Sequence, residues 1–468
     1  MDTITAELSL TGALAEYFSG LQPDAIPEPV KADATWRLVD TIGVALAGSR
    51  MDFAEMVQGV FTDMGGVEES TALGTTTRLP AAHAGFVNAA FAHGPDYDDT
   101  HSVAMVHIGC LAVPASLAVA EKVGASGAAM LTALVAGAEV GLRIGAAAPH
   151  RFHMRGFHAT GVVGPFTAAV ASGRLLDLDP ERMANALGLA GSQAAGLLVG
   201  LHDGSWVKRL HPAWSVQAGI TAALLAERGF VGPKEVLESP WGLYGVLLHN
   251  DEETWDLSAV IAGLGDTWLL PGTTFKPYSN GAWNHSTMDA VAAIMRAQNL
   301  QHHDILRIDT TVPEECLPVV CEPREAKIHP RTVYHMKFSL PYSVAILAVL
   351  GHAEVEDYTD AVLADQEIAD LAARVYCHGD PSMPATGFPA RVRLETRDGR
   401  RFDEDVPAQR GGPGNPMSDD DHRDKFRATA APSLGTQRAE ALLAALEHLW
   451  EADEVSRLAH LLGPQGER

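Results

Sequence analysis

Between Ala128 and Ala148 the chain is almost continuously apolar, yet Glu139 and Arg143 stand near the middle of the run. A stretch this long and greasy belongs either in a bilayer or deep inside a large helical core. Two charges at its centre argue against the bilayer. The run is apolar around most of its circumference, so the expectation is a buried helix packed on by other helices. Composition agrees: aromatic residues are only 6%, while Gly numbers 44 and Ala is abundant. Small side chains let helices approach closely, which favours a helical domain over a β-sandwich.

Further helices are predicted on either side. One opens at Val113-Pro114-Ala115, with proline tolerated in a first turn. Others cover Phe166 to Leu176, Pro180 to Leu198 and Trp214 to Arg228, the last capped by Gly229. After about Gly263 the pattern changes. Leu306–Val312 and Arg391–Thr396 alternate with period two and read as strands, and Arg397-Asp398-Gly399 signals a hairpin turn. Helices are predicted at Ala282–Met295, Phe338–Leu350 and Asp365–Val375. Gly411-Gly412-Pro413-Gly414-Asn415-Pro416 reads as a linker. Beyond it Ala439, Leu442, Leu443, Leu446, Leu449 and Trp450 recur at helical spacing, a tail expected to pack back on the first domain. The fold class is therefore mainly α. Residues 1–262 and 408–468 are assigned to a discontinuous all-helical domain, and residues 263–407 to a smaller α/β domain.

The charge balance narrows the partners. Lys and Arg total 34 against 59 Asp and Glu, a formal net charge of −25. Such a chain lacks the basic footprint of a nucleic-acid binder and the polybasic face that holds a protein on anionic lipid. Met1–Glu7 has neither the basic start nor the apolar core of a secretory leader. The four cysteines, Cys110, Cys316, Cys321 and Cys377, make no CxxC pair. A cytoplasmic location is expected.

Four groups of residues are candidates for chemistry. The densest runs from His93 through Asp96-Tyr97-Asp98-Asp99-Thr100-His101 to His107, with apolar sequence on both sides. Carboxylates, a hydroxyl and imidazoles there supply groups that orient a substrate and exchange protons near neutral pH; a solvated capping loop is the alternative. The second is His150, His153, Arg155 and His158, in a loop between two predicted helices. The third is Lys208-Arg209-Leu210-His211, cations standing together in a chain poor in them, suited to an anion; a solvated surface run is the alternative. The fourth is Lys276-Pro277-Tyr278 with His285 following, placed to reach across an interdomain cleft; the alternative is a solvated surface lysine. No phosphate loop, dinucleotide fingerprint, HExxH or GxSxG motif is present. A metal set drawn from Asp96, Asp98, His101 and His107 has no standard ligand spacing, and no metal is assigned.

Taken in order, these segments resemble the MmgE/PrpD family, which includes 2-methylcitrate dehydratases, cis-aconitate decarboxylases and iminodisuccinate epimerases. The resemblance runs from Asp40-Thr41-Ile42-Gly43 through Asp96–His101, His107-Ile108-Gly109, Gly156–Gly161 and Lys208–His211. It continues through Gly229–Pro233, Lys276-Pro277-Tyr278 and Lys337–Tyr342 to Asn415–Ser418 and Lys425-Phe426. It implies a helical domain built from both chain ends under an α/β lid. It also implies a cofactor-free lyase or isomerase for small di- or tricarboxylates, working as a homodimer. By motif position it puts the active site on Asp96, Thr100, His107, His158, Lys208 and Lys276, with His101, Arg209, His211 and His285 as further substrate contacts.

On this reading Lys208 and Lys276 anchor carboxylates against the repulsion of an acidic protein, with Arg209 and His158 assisting. Asp96 and Thr100 orient the substrate, and His107 moves the proton. Elimination of water from a 2-methylcitrate-like acid is the leading expectation, with decarboxylation of an aconitate-like acid or epimerisation as alternatives. Both losses build negative charge beside a carboxylate and gain from fixed positive charge. Ser279-Asn280-Gly281 departs from the family's usual proline followed by Cys or His, and Trp214 stands near a customary glycine. The expectation is a pocket widened at Gly281 and filled by Trp214. A catalytically silent binding protein, or metal-dependent hydrolysis through Asp98 and His101, are the other classes considered.

Overall fold

The computed structural model describes residues 9–250 and 255–464; Met1–Glu7 lie outside them. The structure is mainly α, with a small α/β part.

The apolar run forms the helix Gly127–Ala146, nearly every residue of it buried. Its two charges have work inside the protein. Glu139 accepts from the backbone N–H groups of Leu269 and Leu270 at 2.7 and 2.8 Å. Arg143 donates to the carbonyls of Ala262 and Thr267 at 2.8 and 2.6 Å. They fix the loop that leads from the helical part towards the sheet. Against this helix pack Glu28–Gly48, Gly109–Val123 and Ala159–Leu175, and Ala81–His93 and His211–Glu227 pack on those neighbours in turn. Close approach depends on glycine. A Cβ at Gly137 would lie 2.5 Å from the Thr167 carbonyl oxygen, and one at Gly219 would lie 2.5 Å from that of Pro165.

The tail closes the same core. Asp419–Leu434 lies along Glu28–Gly48, and Leu442, Leu443, Leu446 and Leu449 are buried with the N-terminal helices. A second core, from Ala282 to Leu394, lies between the helices His285–Gln298 and Leu340–Leu350 and a four-stranded sheet. The strand order is Val375–Asp380, Ile305–Pro313, Ala390–Thr396, Arg401–Val406; the first pair is parallel and the others antiparallel.

Several local expectations change. The helix Gly109–Val123 starts before Val113, so Pro114 lies inside it. The helix from Pro180 stops at Gly191, and the following segment crosses back so that Gly196 accepts from His158 N–H at 2.9 Å. The helix after Asp365 ends at Ala372, and Val375 begins an unforeseen strand. Gly411–Pro416 is no loose linker. Gly411 and Gly412 are buried, Gly412 bridges Asn415, and Phe275 N–H donates to Gly411 at 2.9 Å.

Candidate active site

The helix Ala81–His93 is buried to its last residue and releases the chain into the polar loop seen in the sequence. Pro95 and Asp96 turn it sharply, with Asp96 at φ +54°. This is left-handed backbone, a conformation Asp tolerates better than most residues, at some cost. The turn aims the Asp96 carboxylate at two lysines from distant segments. Lys208 Nζ donates to Oδ2 at 3.1 Å, and Lys276 Nζ donates to Oδ1 at 2.5 Å and to the Asp96 carbonyl at 3.0 Å. Burial pushes the Asp96 carboxyl up, but the two ammonium groups overcome it and hold it well below the usual carboxylate range. Each ammonium has three N–H bonds and spends two on these contacts and, for Lys208, on His93 Nε2 at 3.0 Å. One donor per lysine is left for a ligand.

His93 is fixed from its other side by Asp98, Nδ1 to Oδ2 being 2.7 Å. His107 stands beside it with ring centroids 4.8 Å apart. His107 Nδ1 lies 2.6 Å from the Asp99 carbonyl oxygen, which only accepts, so Nδ1 carries the proton. Burial, reinforced by Lys208 and Lys276 against Asp98, keeps the ring well below its ordinary pKa. His107 is therefore neutral at neutral pH with a bare Nε2, and Thr100 Oγ1 lies 3.2 Å from Nδ1. His158 pairs with His211, Nδ1 to Nδ1 at 3.2 Å, and its own Nε2 is buried with no partner among the described residues. Burial, then Lys208, holds His158 well below its ordinary pKa too.

Asp96, Thr100, His107, His158, Lys208 and Lys276 line one cavity of about 410 Å³ between the two cores. The other four expected contacts lie behind its wall. His101 accepts from Ala104 N–H and faces Gly272. Arg209 is held by Asp52 and sandwiched among Phe53, Trp206 and Tyr334. His211 supports His158, and His285 spans Gln409 and the Asn280 carbonyl. They position neighbours; the cavity does not reach them. Gly281 does line the cavity, whereas Trp214 is not part of its lining and stands half-exposed, edge-on to Phe86. The expected filling by Trp214 is thus corrected. Nothing in the sequence around Lys337 beyond the motif Lys337–Tyr342 marks it as part of the site. It donates to the Pro95 carbonyl and to both oxygens of Ser279, each at 2.7 Å, which ties the Asp96 turn to the Lys276 segment.

The Asp98–His101 metal pair is also corrected, since His101 is turned away. Nitrogens of His93, His107 and His158 do lie within 4.8 Å of one another. Lys208 donates to His93 Nε2, so that trio offers a metal only two open nitrogens until the lysine withdraws.

The chain is 28% identical over 477 residues to the cis-aconitate decarboxylase-like protein oryM of Aspergillus oryzae, covering 98% of both. It is 26% identical to a cis-aconitate decarboxylase of Aspergillus terreus, covering 98% of this chain and 96% of that one. It is 25% identical to the human cis-aconitate decarboxylase, covering 97% and 95%. Residues 12–256 match the MmgE/PrpD N-terminal domain and residues 278–451 the MmgE/PrpD C-terminal domain, so that all the lining named for the cavity except Lys276 comes from matched segments, and the chain belongs to the MmgE/PrpD family.

Proposed function

We propose that the chain is a lyase for a small polycarboxylic acid, and that it removes carbon dioxide from an aconitate-like substrate. One observation carries the reading: two ammonium groups with a donor to spare and two imidazole Nε2 atoms that have no partner among the described residues converge on one cavity. The near full-length likeness to decarboxylases supports the choice of reaction.

The spare donors of Lys208 and Lys276 hold the carboxylates. As the bond to the departing carboxylate breaks, its electron pair spreads through the adjoining carbon–carbon double bond towards a retained carboxylate. The fixed lysines stabilise that charge without rearranging. The proton that completes the carbon comes from His107 Nε2, which first takes one up when the polyanion's charge raises its basicity.

A second reading, elimination of water, is favoured by the bare His107 Nε2. A base in that state takes a proton α to a carboxylate directly; the C–H pair becomes the double bond, and hydroxide leaves as water with the proton that His107 has just taken. Incubation of the purified protein with cis-aconitate and with 2-methylcitrate separates the readings. Carbon dioxide release supports the first, and absorbance of a new conjugated alkene without gas supports the second. Thermal stabilisation by these acids with no product assigns the chain to the silent binding class. Neither stabilisation nor product overturns the polycarboxylate reading.

A further inference from the structure

The cavity wall is of two chemical kinds. One comprises the lysines, Asp96, Thr100 and the two imidazoles, with the Phe338 ring 5.3 Å from the Lys208 ammonium. The rest of its wall is built mainly from Met105, Leu198, Trp283, Val319, Phe338 and Phe388. Trp283 and Phe388 meet edge to face with centroids 4.8 Å apart, and both belong to the second core, so this half is a backed surface and not a gap. Among the described residues Lys208 and Lys276 are the only lysines or arginines on the wall, and Asp96 cancels one of their two charges. The remaining charged side chain, Glu315, is an acid at the exposed rim, 3.0 Å from His150.

We propose that the natural substrate sets two carboxylates on the lysines and an apolar arm of several carbons against the apolar side chains, in place of a third carboxylate. This rests on the polycarboxylate reading above. A carboxylate set against those apolar side chains would lose its water and meet no ammonium or guanidinium, with Glu315 adding repulsion. His153, also on the wall, is no substitute cation, since burial holds its pKa down to about 3. An alkyl arm there gains affinity, about 4-fold for each buried methylene (about 0.8 kcal/mol). The cavity also falls within the usual range for sites that enclose a whole organic ligand, about 300–1,000 Å³, more room than a four-carbon diacid fills.

Titration calorimetry on the full chain tests this with succinate, 2-propylsuccinate, 2-pentylsuccinate and tricarballylate. Propylsuccinate and tricarballylate differ only in ending one arm with an ethyl group or a carboxylate of similar size. Propylsuccinate is expected to bind about 10-fold tighter than tricarballylate, and pentylsuccinate about 10-fold tighter again. Val319 is only partly buried, so V319D is tolerated; it should bring the ratio of pentylsuccinate to succinate affinity towards one, both being dianions. Succinate binding with tricarballylate equal to or tighter than propylsuccinate would overturn the apolar arm and leave the polycarboxylate reading standing. Failure of all four acids to bind would remove that reading and this inference with it.

Discussion

Asp96 and Asp99 lie three residues apart on one loop and are equally buried, yet they belong to opposite kinds of cluster. Asp96 meets Lys208 and Lys276 on a cavity wall, where each lysine keeps a donor in reserve. Asp99 turns the other way. It accepts from Gly109 N–H with both oxygens, at 3.0 and 2.9 Å, and faces Arg37 at 3.1 Å. Arg37 is itself closed in by Asp33, the Thr273 carbonyl and the face of Phe275. Next to it Lys425 pairs with Asp40 at 2.6 Å and donates to the Tyr97 carbonyl. Buried charge alone therefore does not mark a site. What separates the two clusters is where their unused bonds point: into a cavity in one, into protein in the other.

The comparison predicts activity loss on one side and stability loss on the other. H107Q should lower kcat by about 10²–10⁴-fold, the usual worth of a positioned acid–base group. K208A should lower kcat/KM by about 10²–10³-fold. Both variants should unfold cooperatively close to the wild-type midpoint, because Lys276 still pairs Asp96. R37L should do the reverse, costing about 3–5 kcal/mol by leaving Asp99 and Asp33 without their cation. Urea unfolding and steady-state rates on the same preparations check all three. An unfolded K208A, or a stable but inactive R37L, would break the division between the clusters.

A gentler probe is pH. Burial holds His158 well below its ordinary pKa, whereas in the unfolded chain it titrates near 6.5. Between the two values the unfolded state binds more protons, so this group lowers stability as pH falls below about 6.5. Asp99 and Glu139, both raised to about 7 mainly by burial, contribute the opposite slope. The difference between wild type and H158Q is the quantity to read. The variant should lose less stability, relative to wild type, between pH 7.5 and pH 5. Parallel curves would mean that His158 is charged in the fold and the site less closed than described.

How far the sequence reached follows the same divide. The helix Gly127–Ala146 was legible because a long apolar run with two central charges has few places to go. The six cavity residues were legible because polar groups flanked by apolar sequence are costly without a use. Direction was not legible. Nothing local to Arg209, His211 or His285 says that they face neighbours, and the left-handed turn that aims Asp96 depends on lysines more than a hundred residues away. The strand Val375–Asp380 was missed because its inner and outer positions do not alternate, and the helix expected from Asp365 ran over it. Gly191 and Ser192 end the helix from Pro180 earlier than its apolar pattern does, because the following loop must return to meet His158.

The smallest effect belongs to Trp214, whose size and position in the sequence made it look like a pocket residue. It is 51% exposed, and its recorded aromatic contact is Phe86, outside the cavity lining. W214A should cost about 1 kcal/mol, the order of one edge-on aromatic contact and a half-buried ring. It should leave kcat and KM unchanged. A large aromatic beside a run of candidate site residues has no role by that nearness alone: the helix His211–Glu227 presents His211 to His158 and packs Trp214 on Phe86. A KM that rises in W214A while stability stays constant would show that the cavity reaches further across this helix than the contacts of His158 and Lys208 indicate.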